Sequence, residues 1–454
     1  MIGREKCLRL LKRVIQESSA DQTEAILLTE DSSLTRFARS TVHQHVAERN
    51  GILILRVALG KKISVVTTNI LEPRSIRGAL QKAIALAKIQ PPNEEFISLP
   101  GPKPFPEIAT FHKTVDRFTP DRKVKIIKNL VKLMDARGLK TSGAFSKGVV
   151  ESAIVNSLGV EAYQAYSDLF LHFIAEGDKN TGYAHFVSRD PDRLDLEKLA
   201  KEAIRKVTDQ ESIPIDPGEY EVILEPHAVA EMIDFLSVLG FHALAFQEGR
   251  SFFCDALGKA MVDEKVTIWD DGLDPEGLQI PFDFEGVPKQ KVTFFKNGVA
   301  KEVTYDSFTA GREGKESTGH GLIPPNTAGP IPINLVMKQG ESTLDEMVRS
   351  VRKGIYVTRF HYTNVVEPMK AVVTGMTRDG TFLIEGGEIK QPLMNLRFTE
   401  SILKAFSRVS ALSKERSVCC EGTGYSRRFV TGTVAPAIKV DGFNFSGVST
   451  LENA

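Results

Sequence analysis

"RNGILILRVALGKKISVVTTNILEPRSIRGALQKAIALAK", Arg49 to Lys88, and "YSDLFLHFIAEGDKNTGYAHFVSRDPDRLDLEKLAKEAIRKV", Tyr166 to Val207, follow one plan. Each reads as an apolar strand, a tight polar turn, a second strand, a proline-bearing loop and an amphipathic helix. The turns are Gly60-Lys61-Lys62 and Gly177-Asp178-Lys179. In the second helix Leu194, Leu196, Leu199, Ala200, Ala203 and Ile204 recur at helical spacing. Each copy also has a helix upstream. Cys7, Leu10, Leu11, Val14 and Ile15 line one face of the first; Val124, Ile127, Leu130, Val131 and Met134 line the other, between a Thr119-Pro120 start and a Gly138 stop. Residues 1–213 are therefore predicted as a duplicated α/β half of two αββα repeats. The proline-rich stretch at about 90–120 reads as an extended tether between them, because proline is excluded from helix interiors and central strands.

A second break, Ile213 to Tyr220, changes the pattern. Residues 218–454 are predicted as a mostly antiparallel β domain with one long buried helix, Pro226 to Phe246, which makes the whole chain α+β. The turn signals are Asn297-Gly298, Asp379-Gly380, Gly386-Gly387 and Asp441-Gly442, residue pairs that tolerate the positive φ of two-residue hairpin loops.

Composition narrows the function. Lysine plus arginine equals aspartate plus glutamate at 58 each, so no global basic excess exists to displace counterions from a nucleic acid. The most apolar stretch, "GILILRVALG", is interrupted by Arg56 and falls far short of the ~20 residues of a membrane span. The start, "MIGREKCLRL", lacks a signal-peptide apolar run, and four cysteines make no disulfide framework. The expectation is a cytoplasmic protein with reduced thiols, no nucleic-acid partner and no membrane partner.

The Pro226–Phe246 helix has a histidine near each end. A zinc peptidase helix needs two histidines about a turn apart and a glutamate beside the first to take a proton from metal-bound water. His227 and His242 are separated by about 22 Å at the normal helical rise and cannot share a metal on one helix, so caps or packed side chains are expected. "GREGKESTGHG", from Gly311, lacks the Gly-Lys-Ser/Thr ending of a phosphate loop. His320 and His361 sit at glycine- or aromatic-rich strand ends. A Cys420–His pair would be the inventory of a cysteine nucleophile, and Glu285-Gly286 reads as a turn.

From "GRSFFCDALGKAMVDEKVTIWDDG" (Gly249–Gly272) through "FDFEGVPKQKVTFFKNGVAKEVTYDSFTAGREGKESTGHG" (Phe282–Gly321), the chain resembles the TldD/PmbA family, the so-called modulators of DNA gyrase. "TRFHYTN" at Thr358, "TGMTRDGTFLIEGGEI" at Thr374, "RFTES" at Arg397, "PAIKVDGFNFSG" at Pro436 and "SLTRFARSTVHQHVAERNGILILRV" at Ser33 extend the resemblance over the whole chain. It implies one of two kinds of protein. One carries a His-Glu-x-x-x-His zinc motif and acts as a peptidase on unfolded or modified peptides; its PmbA/TldE sibling lacks the motif and pairs with it.

Counting back from Leu257-Gly258, the motif positions fall on Asp234, Phe235 and Leu239, and a distal cysteine position falls near Gly422, two residues from Cys420. Of the three motif residues only Asp234 could ligate a cation. The resemblance thus implies a non-catalytic partner subunit with no cofactor of its own, zinc residing in a TldD-type catalytic sibling. The partners implied are that sibling, as a heterodimer, or a second copy as a homodimer, together with peptide substrates. It also implies a substrate cleft near Thr318, Gly319, His320 and Gly321, where an extended peptide could add as a strand, and His361 is a further candidate for peptide binding. Two other readings stay open: an active homodimeric peptidase with a metal site from Asp234, Cys420 and a histidine, and a regulator contacting DNA gyrase.

Overall fold

The computed structural model describes residues 1–420 and 427–448. The first copy runs α1 (Arg4–Glu17), β1 (Gln22–Ala38), β2 (Thr41–Leu59), β3 (Lys62–Thr68) and α2 (Pro73–Ile89). After a short α3 (Lys113–Asp116), the second runs α4 (Pro120–Asp135), β4 (Lys140–Asn156), β5 (Glu161–Glu176), β6 (Thr181–Ser188) and α5 (Leu196–Arg205). Each unit is therefore αβββα, one strand more than the αββα expected. The six strands form one antiparallel sheet in the order β3-β2-β1-β4-β5-β6, so the copies meet back to back along β1 and β4.

The helices cover one face of this sheet. Thr119 caps α4 by accepting from the Arg122 N–H at 3.3 Å, and Ile127, Leu130 and Met134 then bury against Phe145, Leu171 and Phe173. On the first copy Leu11, Val14, Leu80 and Ala83 pack on Leu27, Leu53 and Leu55. The opposite face meets the carboxy-terminal half through Ile26, Ile54, Ile154, Phe282 and Phe284. With both faces covered, β4 is buried almost end to end, and the period-2 signal of a half-buried strand is lost. In the tether, Phe96 and Leu99 bury against Ala58, and Thr110 bonds to the backbone of Ala165 and Ser167 on β5.

The second half contains β7 (Gly218–Leu224), α6 (Pro226–Gly240), α7 (Ala243–Gln247), β8 (Ile268–Asp270), β9 (Val292–Lys296), β10 (Val299–Ala300), α8 (Ser307–Arg312), β11 (Leu335–Met337) and α9 (Leu344–Arg349). It continues with β12 (Lys353–Glu367), β13 (Val372–Glu385), β14 (Glu388–Pro392), β15 (Leu396–Ser401), α10 (Ile402–Phe406), β16 (Val409–Cys419) and β17 (Thr433–Val448). The pairings β7-β12-β13-β15-β17 return to β7 and close a circuit. An arm of β11, β8, β9 and β10 leaves it through a parallel contact of Val336 with Val434. Val229, Met232, Ile233 and Leu236 of α6 share a core with Val222, Val357, Phe398, Ile438 and Phe443 of the circuit.

Asn297-Gly298 makes the expected tight turn, with φ of 49° and 77°. Gly386-Gly387 turns β13 into β14. Asp379-Gly380 and Asp441-Gly442, however, are not turns. They lie inside β13 and β17 at register shifts, where positive φ bulges a continuous strand. The first bulge aims the Asp379 carboxylate at the Arg359 guanidinium and at the Thr181 hydroxyl of β6, 2.7 Å away. The long helix is also shorter than expected: it ends at Gly240, and Phe241 enters an aromatic cluster with Phe252, Phe253, Phe294 and Phe295. Among the described residues no helix is long and apolar enough to cross a membrane.

Candidate functional site

Pro226 at the first turn of α6 presets helical φ where no N–H is needed, and the apolar run behind it buries the inner face. The remaining positions, Glu231, Asp234, Phe235, Val238 and Leu239, form the less buried side of the helix. Asp234, Phe235 and Leu239, the positions to which the sequence count assigns the zinc motif, thus fall on the side that the core does not enclose. Asp234 accepts a hydrogen bond from the Thr433 hydroxyl on β17. Phe235 and Leu239 pack their edges on the main core. Zinc needs nitrogen, sulfur or oxygen donors, three of them protein-borne even in an open catalytic site. An aspartate, a phenylalanine and a leucine do not fit that need. Among the described residues no three His, Cys, Asp or Glu side chains come together as a metal site.

The helix histidines are packed. His227 is buried beneath β6, its Nε2 3.4 Å from the Tyr183 hydroxyl and its ring edge-on to His185 at 4.9 Å. Burial pushes its pKa well down, and His185, Arg359 and Lys206 push the same way. His242 precedes α7: its Nδ1 accepts from the Ala245 N–H at 3.4 Å, and its Nε2 lies 3.1 Å from the Val238 carbonyl. Cys420 is buried in an apolar cluster with Phe170, Val187, Leu278 and Val430. The Gly422 position lies outside the described residues.

The segment Thr318–Gly321 is built into the fold rather than laid along an open edge. Gly319, His320 and Gly321 are buried, and only Thr318 of the four is half-exposed. A Cβ on Gly319 would stand 2.2 Å from the Pro288 carbonyl oxygen, so its lack of a side chain serves a backbone crossing, not an incoming peptide. His320 bridges the Thr318 hydroxyl and Asp270, at 2.9 Å from each. Asp270 also accepts from the Asn334 N–H at 2.6 Å and lies 3.5 Å from the Lys289 ammonium. Burial raises its pKa, but Lys289 and His320 outweigh that and hold it well below the usual carboxylate range. Burial and then Lys289 lower the pKa of His320. The Thr318 hydroxyl is further engaged with the Tyr305 N–H and carbonyl, which leaves it no freedom as a nucleophile. His361 is elsewhere, in the middle of β12, where it pairs with Met376 of β13. It packs edge-on to Tyr362, a residue 79% exposed, and Val365, Val366 and Met369 are exposed further along the chain.

Two charged seams join the halves, and sequence reading singled out neither. In one, Arg56 Nη2 lies 2.9 Å from Glu24 and 3.1 Å from Glu285, whose carboxylate also accepts from the Ser307 N–H and hydroxyl. In the other, Arg428 grips Asp168 from its Nε and Nη2. These partners are too far apart in the chain to leave a local signal.

A sequence profile of the PmbA/TldA metallopeptidase C-terminal domain matches residues 217–447, and that of the PmbA/TldA metallopeptidase central domain matches residues 113–211. A metalloprotease TldD homologue of Buchnera aphidicola is 26% identical over 60% of this chain and 58% of its own length, so the match spans little more than half of that relative. A metalloprotease PmbA homologue of Haemophilus influenzae is 23% identical over 88% of this chain and 89% of its own. The crystal structure of TldE from Thermococcus kodakarensis superposes with a TM-score of 0.85 at 21% identity, covering 98% of this chain and 99% of that one, and so shares the fold.

Proposed function

The chain belongs to the PmbA/TldD metallopeptidase family, and from that premise we propose that it is the non-catalytic partner subunit of a TldD-type zinc peptidase acting on unfolded or modified peptides. The observation that carries the reading is the outer side of α6, where Asp234, Phe235 and Leu239 stand at the zinc-motif positions. Leu239 offers no donor at one of the two ligand positions, and Phe235, at the general-base position, cannot take a proton from water. The chain's own residues supply packing instead. Apolar burial fixes α6 within the circuit, and Thr433 holds the Asp234 carboxylate on its outer side. Zinc, in the sibling, would supply the activated water; this chain would wall the cleft and limit access to extended peptides.

The test is reconstitution. The chain purified alone under reducing conditions is expected to contain close to no zinc and to leave an unfolded peptide intact, while mixing with a TldD-type sibling forms a heterodimer with peptidase activity. One zinc per chain, lost on Asp234→Ala, would overturn the proposal. So would peptide hydrolysis by the chain alone, or failure to associate with the sibling.

A further inference from the structure

A cleft of about 440 Å³ opens where the second copy meets the carboxy-terminal half, between the end of β6, α5, residues 275–279 and the Ser417-Val418 end of β16. That volume lies within the range of small-ligand sites, about 300–1,000 Å³. Its wall includes Arg189, the residue after β6. Arg189 is 9% exposed, and its guanidinium carbon sits 4.9 Å from the Tyr166 ring centroid. Among the described residues its buried Nε has no acceptor, and the side chain enters no ion pair. Arginine carries five donors and stays charged even when buried, so such a group is costly unless an acceptor meets it.

Asp168 attracts it but is committed: Arg428 reaches both of its oxygens, at 3.2 and 3.1 Å from Nε. The acids of the cleft wall are engaged too. Asp190 accepts from the Asp192 N–H, Asp195 caps α5 through the Lys198 N–H, Glu202 lies 3.5 Å from Lys206, and Glu276 lies 2.6 Å from Arg416. The Lys198 side chain, exposed at the same wall, has no ion pair among the described residues. Each of these acids has at least one donor or cation beside it, whereas Arg189 and Lys198 have no acidic ion-pair partner among the described residues.

We propose that this cleft binds a carboxylate or phosphate group, with Arg189 as its fixed, fork-shaped partner and Lys198 as the solvent-side charge. A planar guanidinium held against an aromatic ring suits two-point recognition of such an oxyanion. The site touches both halves, so its ligand would bridge them. The proposal does not depend on the partner-subunit reading, since it uses none of the α6 positions.

Calorimetric titration of the full chain tests it with three probes: inorganic phosphate, an acetylated tri-alanine with a free terminal carboxylate, and the same peptide amidated. Saturable binding of phosphate or of the free-carboxylate peptide is expected, with no binding of the amide; the tighter of the two identifies the source. Affinity should fall at least about tenfold in Arg189→Met and about threefold in Lys198→Gln, as befits a two-point and a screened contact. The Met variant should melt no lower than wild type, because it removes a buried charge without a partner. The Gln variant changes an exposed residue and reads the site independently of folding. Lack of saturable heat with both anionic probes up to roughly 10 mM, beyond the ~1 mM of weak sites, would overturn the proposal. Binding unchanged by Arg189→Met, or equal binding of the amide, would do the same.

Discussion

The two copies of the αβββα unit dock on the same carboxy-terminal half with opposite charge surpluses. At the first copy, one cation, Arg56 on β2, stands between Glu24, its cross-strand partner on β1, and Glu285 from the other half. Asp283 and Asp306 lie close enough to Glu285 for their pKa values to rise, burial first and its charge second. At the second copy, one acid, Asp168 on β5, takes Arg428, and Arg189 remains nearby with no ion pair among the described residues. Each αβββα unit contributes three strands to the one sheet. The seams are fixed by residues that the sheet plan does not dictate, one with too many carboxylates and one with too many guanidinium groups. A buried acid surplus responds to pH, whereas a buried cation surplus calls for an anion.

The largest effect is expected at the second seam. Arg428→Ala leaves Asp168 buried without its guanidinium and also removes the donor to the Ser146 hydroxyl at 3.2 Å. Breaking one side of a buried pair costs about 3–5 kcal/mol, which urea unfolding would read as a lower midpoint. A loss under about 1 kcal/mol, the scale of an exposed pair, would show Arg189 moving over to Asp168 and would collapse the contrast between the seams.

Gly148→Ala approaches the same contact through shape. Gly148 faces Asp168 across β4 and β5, and a Cβ there would fall 1.9 Å from Arg428 Cδ and Nε. Displacing that side chain is expected to cost about 1–3 kcal/mol, the usual range for overpacking. Since both changes act on one contact, the double variant with Arg428→Ala should be no less stable than Arg428→Ala alone. Additive losses in the unfolding midpoints would mean that Gly148 matters for another reason.

What the sequence disclosed follows the same divide. Helices α1, α2, α4 and α5 pack on a single sheet face, so their apolar periodicity was visible, and the Asn297-Gly298 turn announced itself by residue type. β1 and β4 did not, because the second half covers the sheet's other face. In β4, Ser146, Lys147, Glu151 and Ser152 are buried polar residues that local alternation would have assigned to solvent. Asp379-Gly380 misled because the same pair suits a hairpin turn and a bulge; only the continuing β12 partner decides between them. At the candidate site, the sequence count put Asp234, Phe235 and Leu239 on α6, and the structure places them together on its less buried side. The burial of Gly319, His320 and Gly321 was not legible, since what covers them comes from Pro288 and neighbouring residues. Arg56 showed only as a charge interrupting an apolar run, and its acceptors lie 32 and 229 residues away.

The smallest effect sharpens the comparison from the acidic side. Glu24 is fully buried, its Oε1 receives Arg56, and its Oε2 has no hydrogen-bond donor among the described residues. Burial raises its pKa first, Arg56 opposes, and Glu285 adds to the rise. A carboxyl whose folded pKa exceeds its unfolded value, ~4.3, contributes stability that is complete below that value and is lost as pH climbs through the folded one. Glu24→Gln keeps an oxygen for Arg56 and removes the titration, so the thermal unfolding midpoint should fall less steeply than in wild type as pH climbs above that unfolded value. At neutral pH the change should stay within ~1 kcal/mol, the size of one exchanged hydrogen bond. Parallel pH profiles would show that Arg56 alone satisfies both carboxylates, and the first seam would then carry no acid surplus to set against the cations of the second.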